Sequence, residues 1–410
     1  MAIELLSPAG NYEKLRTAIS YGADACYMGL TRYSLRKNAG NMKDDEMDKI
    51  ATLKKESGKK LYCTMNIIMS EDQIREMDSF LPTLSSSPFD AFIISDIGLV
   101  PLFHKYLPDK ELHLSTQASC INSSAAKMYY DMGFSRVILG REATLDDIKR
   151  IKDRVPELEL EAFVHGAMCM SYSGRCLLSS FLTGRSANQG DCSHTCRWNY
   201  KLYYALEEQE RKGTYYPIEE DEDGYTTILS SKDLCMIDHL DDLINAGLSS
   251  LKIEGRMKSV YYVAVVTRAY RKALDKDPDA DLYKEDMFNV SHREFSTGFF
   301  YGRGSVEGSD ISKSTSYGYR REYMYLGSII NECGNNTYEV DVRNQIRKGK
   351  EIEYIGPDIC FIKDDSFKLL DADGNEVEKL DHGKKGFIVS DKKLKKDYIL
   401  RSEAEIKELN

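Results

Sequence analysis

Four of the chain's ten cysteines fall in one segment, HGAMCMSYSGRCLLSSFLTGRSANQGDCSHTCRWNY, as Cys169, Cys176, Cys192 and Cys196. Their spacing is C-x6-C-x15-C-x3-C. Structural zinc takes its thiolates from closely spaced knuckles, and the first pair here is too widely set to form one. Iron–sulfur clusters accept four thiolates with more varied loops between them. Gly166, Ala167, Gly174 and Gly190 surround the thiols, and small residues let backbone amides approach cluster sulfurs. Cysteines can also be buried as small hydrophobes, the role expected of Cys26, Cys63, Cys120, Cys333 and Cys360. That role does not suit four thiols in a segment full of Gly, Ser, Asn and Arg. The pattern reads first as an iron–sulfur cluster and second as a tetrathiolate zinc site. Cys235, in SSKDLCMIDHL, is expected to pack on its helix. No C-x2-C occurs, which excludes a thioredoxin-like motif.

A second constellation is SLKIEGR, which sets Lys252, Glu254 and Arg256 at i, i+2 and i+4. Along a strand these share one face. Two cations and a carboxylate at the mouth of a pocket suit a small dicarboxylate or a phosphate, and the bland alternative is a mutual salt-bridge network. His165, four residues before Cys169, is the acid/base candidate; it could equally hydrogen-bond the cysteine loop. KSTSYGYRREYMY interleaves Lys313, Arg320 and Arg321 with Tyr317, Tyr319, Tyr323 and Tyr325. Cations to hold a backbone and aromatic faces to stack on an unpaired base suit single-stranded RNA. Lys392, Lys393, Lys395 and Lys396 add charge further on. A peptidase would need an activated nucleophile or a metal-bound water, and neither G-x-S-x-G nor H-E-x-x-H is present.

The elements that must position these groups alternate. Short apolar runs are IELLSPA, ADACYMG, KKLYCTMN, DAFIISD, ELHLST, SRVILG, LELEAFVHG and SSLKIEG, and amphipathic stretches separate most of them. In NYEKLRTAISYG, Asn11 is a plausible N-cap, Leu15, Ala18 and Ile19 share a face, and Gly22 ends the helix. Strands alternating with helices argue for a parallel sheet, and eight of them for a (β/α)8 TIM-like barrel with its active site at the C-terminal strand ends. Ser7, Asn66, Asp96, Gln117, Arg141, His165, Glu254 and Arg256 stand at such ends. The repeat fills residues 1–275, with the cysteine-rich insertion at 165–200. A polar connector is expected over 276–324, and alternation with turns at GNN, KGK and DADG predicts a small antiparallel β-barrel over 325–402. A hydrophobic content of 42% suits a full core, and the net charge of −10 argues against non-specific coating of duplex nucleic acid. The N-terminus lacks a basic and apolar leader, and no apolar run is long enough to span a bilayer, so a cytoplasmic protein without membrane partners is expected.

ELLSPAGNYEKLRTAISYGADACYMG, FVHGAMCMSYSGRCLLSSFLTGRSANQGDCSHTCRW and SLKIEGRMKSVYYVAVVTRAYRKALD resemble signature blocks of the collagenase-like peptidase family of unassigned catalytic type, number thirty-two. REFSTGFFYG fits a fourth block, and the resemblance covers nearly the whole chain. The family name implies proteolysis. One branch with this architecture is implicated in oxygen-independent formation of 5-hydroxyuridine at the tRNA wobble position, with prephenate as the hydroxyl source. Another serves ubiquinone hydroxylation, and members of both are associated with a [4Fe–4S] cluster. The resemblance thus implies cluster ligands at Cys169, Cys176, Cys192 and Cys196, tRNA as partner, prephenate as an anionic donor, and a second subunit of the same family. The rival expectations are a peptidase and a cluster-stabilised RNA-binding scaffold.

Overall fold

The computed structural model describes residues 3–31, 33–34, 42, 44–169, 171–176, 178–183, 185, 187, 191–197, 231–302 and 323–404. Tyr317, Tyr319, Arg320 and Arg321 lie outside the described residues. The chain forms two compact units. One comprises Met1–Arg16, Ala23–Met257 and Arg293–Gly318; the other comprises Thr17–Gly22, Lys258–His292 and Tyr319–Asn410.

Among the described residues, the first unit is built on ten strands. They are β1 (Glu4–Pro8), β2 (Ala25–Gly29), β3 (Lys60–Met65), β4 (Ala91–Ile94), β5 (Glu111–Leu114), β6 (Phe134–Ile138), β7 (Glu159–Ala167), β8 (Asp233–Cys235), β9 (Ser250–Ile253) and β10 (Phe295–Ser296). β1 to β7 pair in parallel in chain order, and β9 pairs in parallel with both β7 and β1, which closes the barrel. The expected TIM-like barrel is thus the observed one. Its strands are largely buried on both faces, as parallel strands covered by helices must be: every residue of β2 and β4 is buried. Local signals start the helices. Asn11 Oδ1 accepts from Lys14 N at 2.9 Å. Ser70 with Gln73, and Thr144 with Asp147, form reciprocal caps. Helix Leu145–Arg154 then turns Ile148 and Ile151 into the core.

β8 and β10 stand outside this repeat. β7 is nine residues long, and its upper end, His165–Ala167, pairs antiparallel with β8. β10 adds to β8 in parallel. The segment between β7 and β8 carries the four clustered cysteines.

The second unit pairs helices Val260–Leu274 and Ala280–Met287 with a curled, eight-stranded antiparallel sheet. Its core includes Ile329, Val340, Tyr354, Leu369, Ile388 and Leu400. The expected turns are in place: Gly334, Asn335, Asn336, Gly349 and Gly374 all have positive φ. Arg401 binds Glu353 at 2.7 Å and also reaches Asp286, which Arg268 holds from the other side. No helix among the described residues is long and apolar enough to cross a membrane.

Candidate functional site

The C-terminal ends of the barrel strands enclose a cavity of about 70 Å³. Asn66, Gln117, Arg141, Glu254 and Arg256, all expected at strand ends, line it, together with Lys252. Tyr27, Thr64, Ser115, Thr116 and Phe163 complete most of the wall. Ala187, from the cysteine segment, also lines it. Three cations and one carboxylate therefore surround a space the size of a small anionic group.

The strand ends at Ile253, so Glu254 and Arg256 belong to the loop that follows. Lys252, Glu254 and Arg256 do meet at one pocket, but their recorded ion pairs and hydrogen bonds run to other strands. Lys252 Nζ is 2.7 Å from Glu161 Oε1 on β7. Glu254 faces Arg141 at 3.5 Å. Arg256 Nη1 donates to Ser34 Oγ and Thr64 Oγ1, both at 2.7 Å. Aromatic faces assist: Lys252 Nζ lies 4.3 Å from the Tyr27 ring centre, and the Arg141 guanidinium 4.0 Å from that of Phe163.

Below the pocket, charge continues along the barrel interior. Arg136 reaches Glu161 at 3.1 Å, Glu4 at 2.6 Å and Glu159 at 2.6 Å. Tyr62 donates to Glu4 at 2.6 Å, and its ring meets that of His113 edge-on. Burial would raise the Glu161 carboxyl, but the Lys252 and Arg136 charges outweigh it and hold it below the usual range. Burial pushes the Lys252 ammonium below its ordinary value, against the pull of Glu161.

His165 is placed elsewhere. It is buried, lies opposite Cys235 in the β7–β8 ladder, and packs its ring 5.3 Å from that of Phe295. It is absent from the pocket wall.

The cysteine segment is seated on the loops that carry the pocket. Ser173 N donates to Glu142 Oε1 at 2.9 Å, and Ser119 Oγ donates to Ser173 O. Gly174 has φ +74°, and a Cβ there would lie 2.2 Å from Gln117 O, so only glycine permits this approach. At the segment's base, Arg293 clasps Asp233 at 2.6 Å, and Ser231 Oγ donates to Met168 O at 2.9 Å.

All four clustered thiols are unbridged; Cys169 is exposed, and Cys176, Cys192 and Cys196 are half-buried. His194 N donates to Cys192 Sγ at 3.4 Å, the kind of amide–sulfur contact that tunes a thiolate ligand. The donor set fits an iron–sulfur or zinc centre in kind and in sharing one loop. Among the described residues, however, no three His, Cys, Asp or Glu side chains converge closely enough to hold a metal ion. Elsewhere, burial pushes the Cys26 and Cys63 thiols far above their usual range and Cys120 up to about 11, which disfavours them as nucleophiles.

A larger groove of about 1040 Å³ lies on the second unit, lined among others by Tyr323, Arg347, Lys350, Glu351, Glu353 and Glu403. Its charges are mixed in sign. Lys392 and Lys395 in that unit are paired with Asp391 and Asp358.

Residues 10–310 match the family described as peptidase family U32, and residues 321–401 match its C-terminal domain. The chain is 35% identical over 391 residues to the tRNA hydroxylation protein P1 of Bacillus subtilis, covering 92% of this chain and 89% of that protein. It is 36% identical over 397 residues to the tRNA hydroxylation protein P of Escherichia coli, covering 86% of each. A 23S rRNA 5-hydroxycytidine synthase of Escherichia coli is 37% identical over 292 residues, which cover 71% of this chain and 42% of that protein.

Proposed function

The chain belongs to peptidase family U32, and from that premise we propose that it is an RNA-hydroxylating enzyme acting on tRNA. The near full-length likeness to a tRNA hydroxylation protein carries this reading. The shared hydroxylation theme of the rRNA relative supports it. In finer detail, the product is 5-hydroxyuridine at the wobble position, formed without molecular oxygen. A cytoplasmic location goes with a tRNA substrate.

The pocket supplies the place for an anionic hydroxyl donor such as prephenate. Lys252 and Arg256 bind a carboxylate, with Arg141 beside them. The fork of an arginine grips a carboxylate through two parallel hydrogen bonds. Glu254, held by Arg141, sits at the same rim and is placed to accept or return a proton. A cavity of about 70 Å³ takes one end of such a donor, leaving the rest at the mouth, under the cysteine segment. A [4Fe–4S] cluster would be held by Cys169, Cys176, Cys192 and Cys196, and when bound it would supply electron transfer or a charged template beside the pocket.

The test is nucleoside mass spectrometry of tRNA from a strain lacking the gene. Loss of 5-hydroxyuridine, restored by the wild-type gene and not by C176S or R256M, is the expected result. An unchanged nucleoside profile in the deletion strain would overturn the reading. Iron and sulfide analysis of anaerobically purified protein separates the cluster from zinc.

A further inference from the structure

The barrel interior carries a column of alternating charge, of which the pocket chemistry above uses only the top member, Lys252. From the lower end it runs Glu4 and Glu159, then Arg136, then Glu161, then Lys252. The Arg136, Glu161 and Lys252 side chains are at most 4% exposed. Burying charges is costly, and replacing a buried ion pair with apolar side chains is often neutral or stabilising. The fold alone therefore gives no reason for the column. Its upper member, Lys252, is the one that lines the pocket.

We propose that Glu161 is a positioning residue that keeps Lys252 an ammonium ion fixed at the pocket, ready for one anionic oxygen of the ligand. This rests on the pocket being an anion site, as proposed above. The geometry is one-sided. Glu161 Oε1 takes the Lys252 proton donor at 2.7 Å, while its Oε2 is held by Arg136 at 3.1 Å. The carboxylate is thus anchored from below. The groups facing Lys252 are Glu161, Arg136, Arg256 and the rings of Tyr27 and Phe163. Arg136 and Arg256 repel the ammonium, and burial disfavours it. Glu161 is the strongest opposing group, so its charge decides whether Lys252 stays protonated in the working pH range.

The experiment is calorimetric titration of the full chain with prephenate, and separately with inorganic phosphate, from about pH 7 to pH 9.5, a range below the usual lysine value. Wild type should keep its affinity to a higher pH than E161Q, because Glu161 opposes the burial that lowers the Lys252 ammonium. E161Q should lose affinity with rising pH, approaching about tenfold per unit once Lys252 deprotonates. K252M and the E161Q/K252M double variant should bind weakly with flat profiles. If E161Q does not fold, E161D carries the test and should follow the wild-type pH profile at reduced affinity. An E161Q profile parallel to wild type, or an E161D profile that falls off at lower pH than wild type, overturns the role of Glu161 while leaving the pocket intact. Failure of wild type to bind either anion removes the pocket reading and this inference with it. Binding of phosphate but not prephenate assigns the cation to an RNA phosphate, with the same E161Q shift required.

Discussion

Removing the Glu142 carboxylate should loosen the cysteine segment without touching a cysteine. Glu142 is 8% exposed and Ser173 is 5% exposed, and the Ser173 amide donates to Glu142 Oε1 at 2.9 Å. The Ser173 hydroxyl lies 3.3 Å from Oε2 of the same carboxylate. A hydrogen bond to a charged group contributes about 1.5–3 kcal/mol, and about 1.4 kcal/mol is tenfold in an equilibrium, so E142A should raise the undocked population roughly 10- to 150-fold. Amide hydrogen exchange reads this directly, because a protected amide exchanges through local opening. Exchange at Ser173 should accelerate by that factor, while amides of β3 and β4 at the barrel wall stay unchanged. E142Q, which keeps a carbonyl acceptor, should fall between. G174A should act alike, since its Cβ cannot coexist with the Gln117 carbonyl in this docking. Unchanged exchange at Ser173 in E142A would show that this contact does not seat the segment. Uniform acceleration across the barrel would show a global effect instead.

Two further outcomes follow from buried charge. Asp233 and Arg293 side chains are each 3% exposed and paired at 2.6 Å, so D233A should cost about 3–5 kcal/mol in chemical denaturation. The D233L/R293M double variant should cost less than either single change, and a larger loss in the double would refute the pairing account. His113 is fully buried beside Glu111, Tyr62 and Arg136; burial, only partly opposed by the Glu111 hydrogen bond, holds its imidazole below the ordinary value. The unfolded chain then takes up a proton as pH falls through about 6.5 while the native chain does not, so stability drops on acidification, by at most about 1.4 kcal/mol per unit. Urea midpoints across that range should fall more steeply in wild type than in H113F, and equal slopes would sink the assignment.

The barrel was legible because most of its strands are largely apolar runs bounded by Gly, Pro, Asp or Asn, a signal that survives burial on both faces. β8 and β10 were not, since strands of three and two residues have no period to read; only the upper end of β7 gives them a partner. The same extension explains His165. It reads as a strand-end residue, yet β7 continues to Ala167 and β8 covers it. Lys252, Glu254 and Arg256 were legible from spacing, and Asn66, Gln117 and Arg141 from their place after strands. Tyr27 and Phe163 look like ordinary core residues until ring closure brings them beside the cations. Glu161 and Arg136 look like the polar half of alternating strands; inside a closed barrel that half points at the axis.

Ring closure also decides what the two constellations have to do with each other. In the sequence the last of the thiols, Cys196, stands 56 positions before Lys252. In the barrel, Ser173 is bound to Glu142, whose neighbour Arg141 lines the pocket, and Gly174 abuts Gln117, which lines it too. Ala187, between the second and third cysteines, reaches the same wall. An anion held by Lys252 and Arg256, as proposed above, would therefore lie under the loop that carries the thiols. A barrel that needed only to fold could fill its axis with Val, Ile and Leu. This one spends the axis on a charged column that ends at the pocket, and the loop above is tied down on both sides of Cys169, by Ser231 to Met168 and by Glu142 to Ser173. Both arrangements favour fixed geometry at one point over stability at large, as a site for chemistry requires.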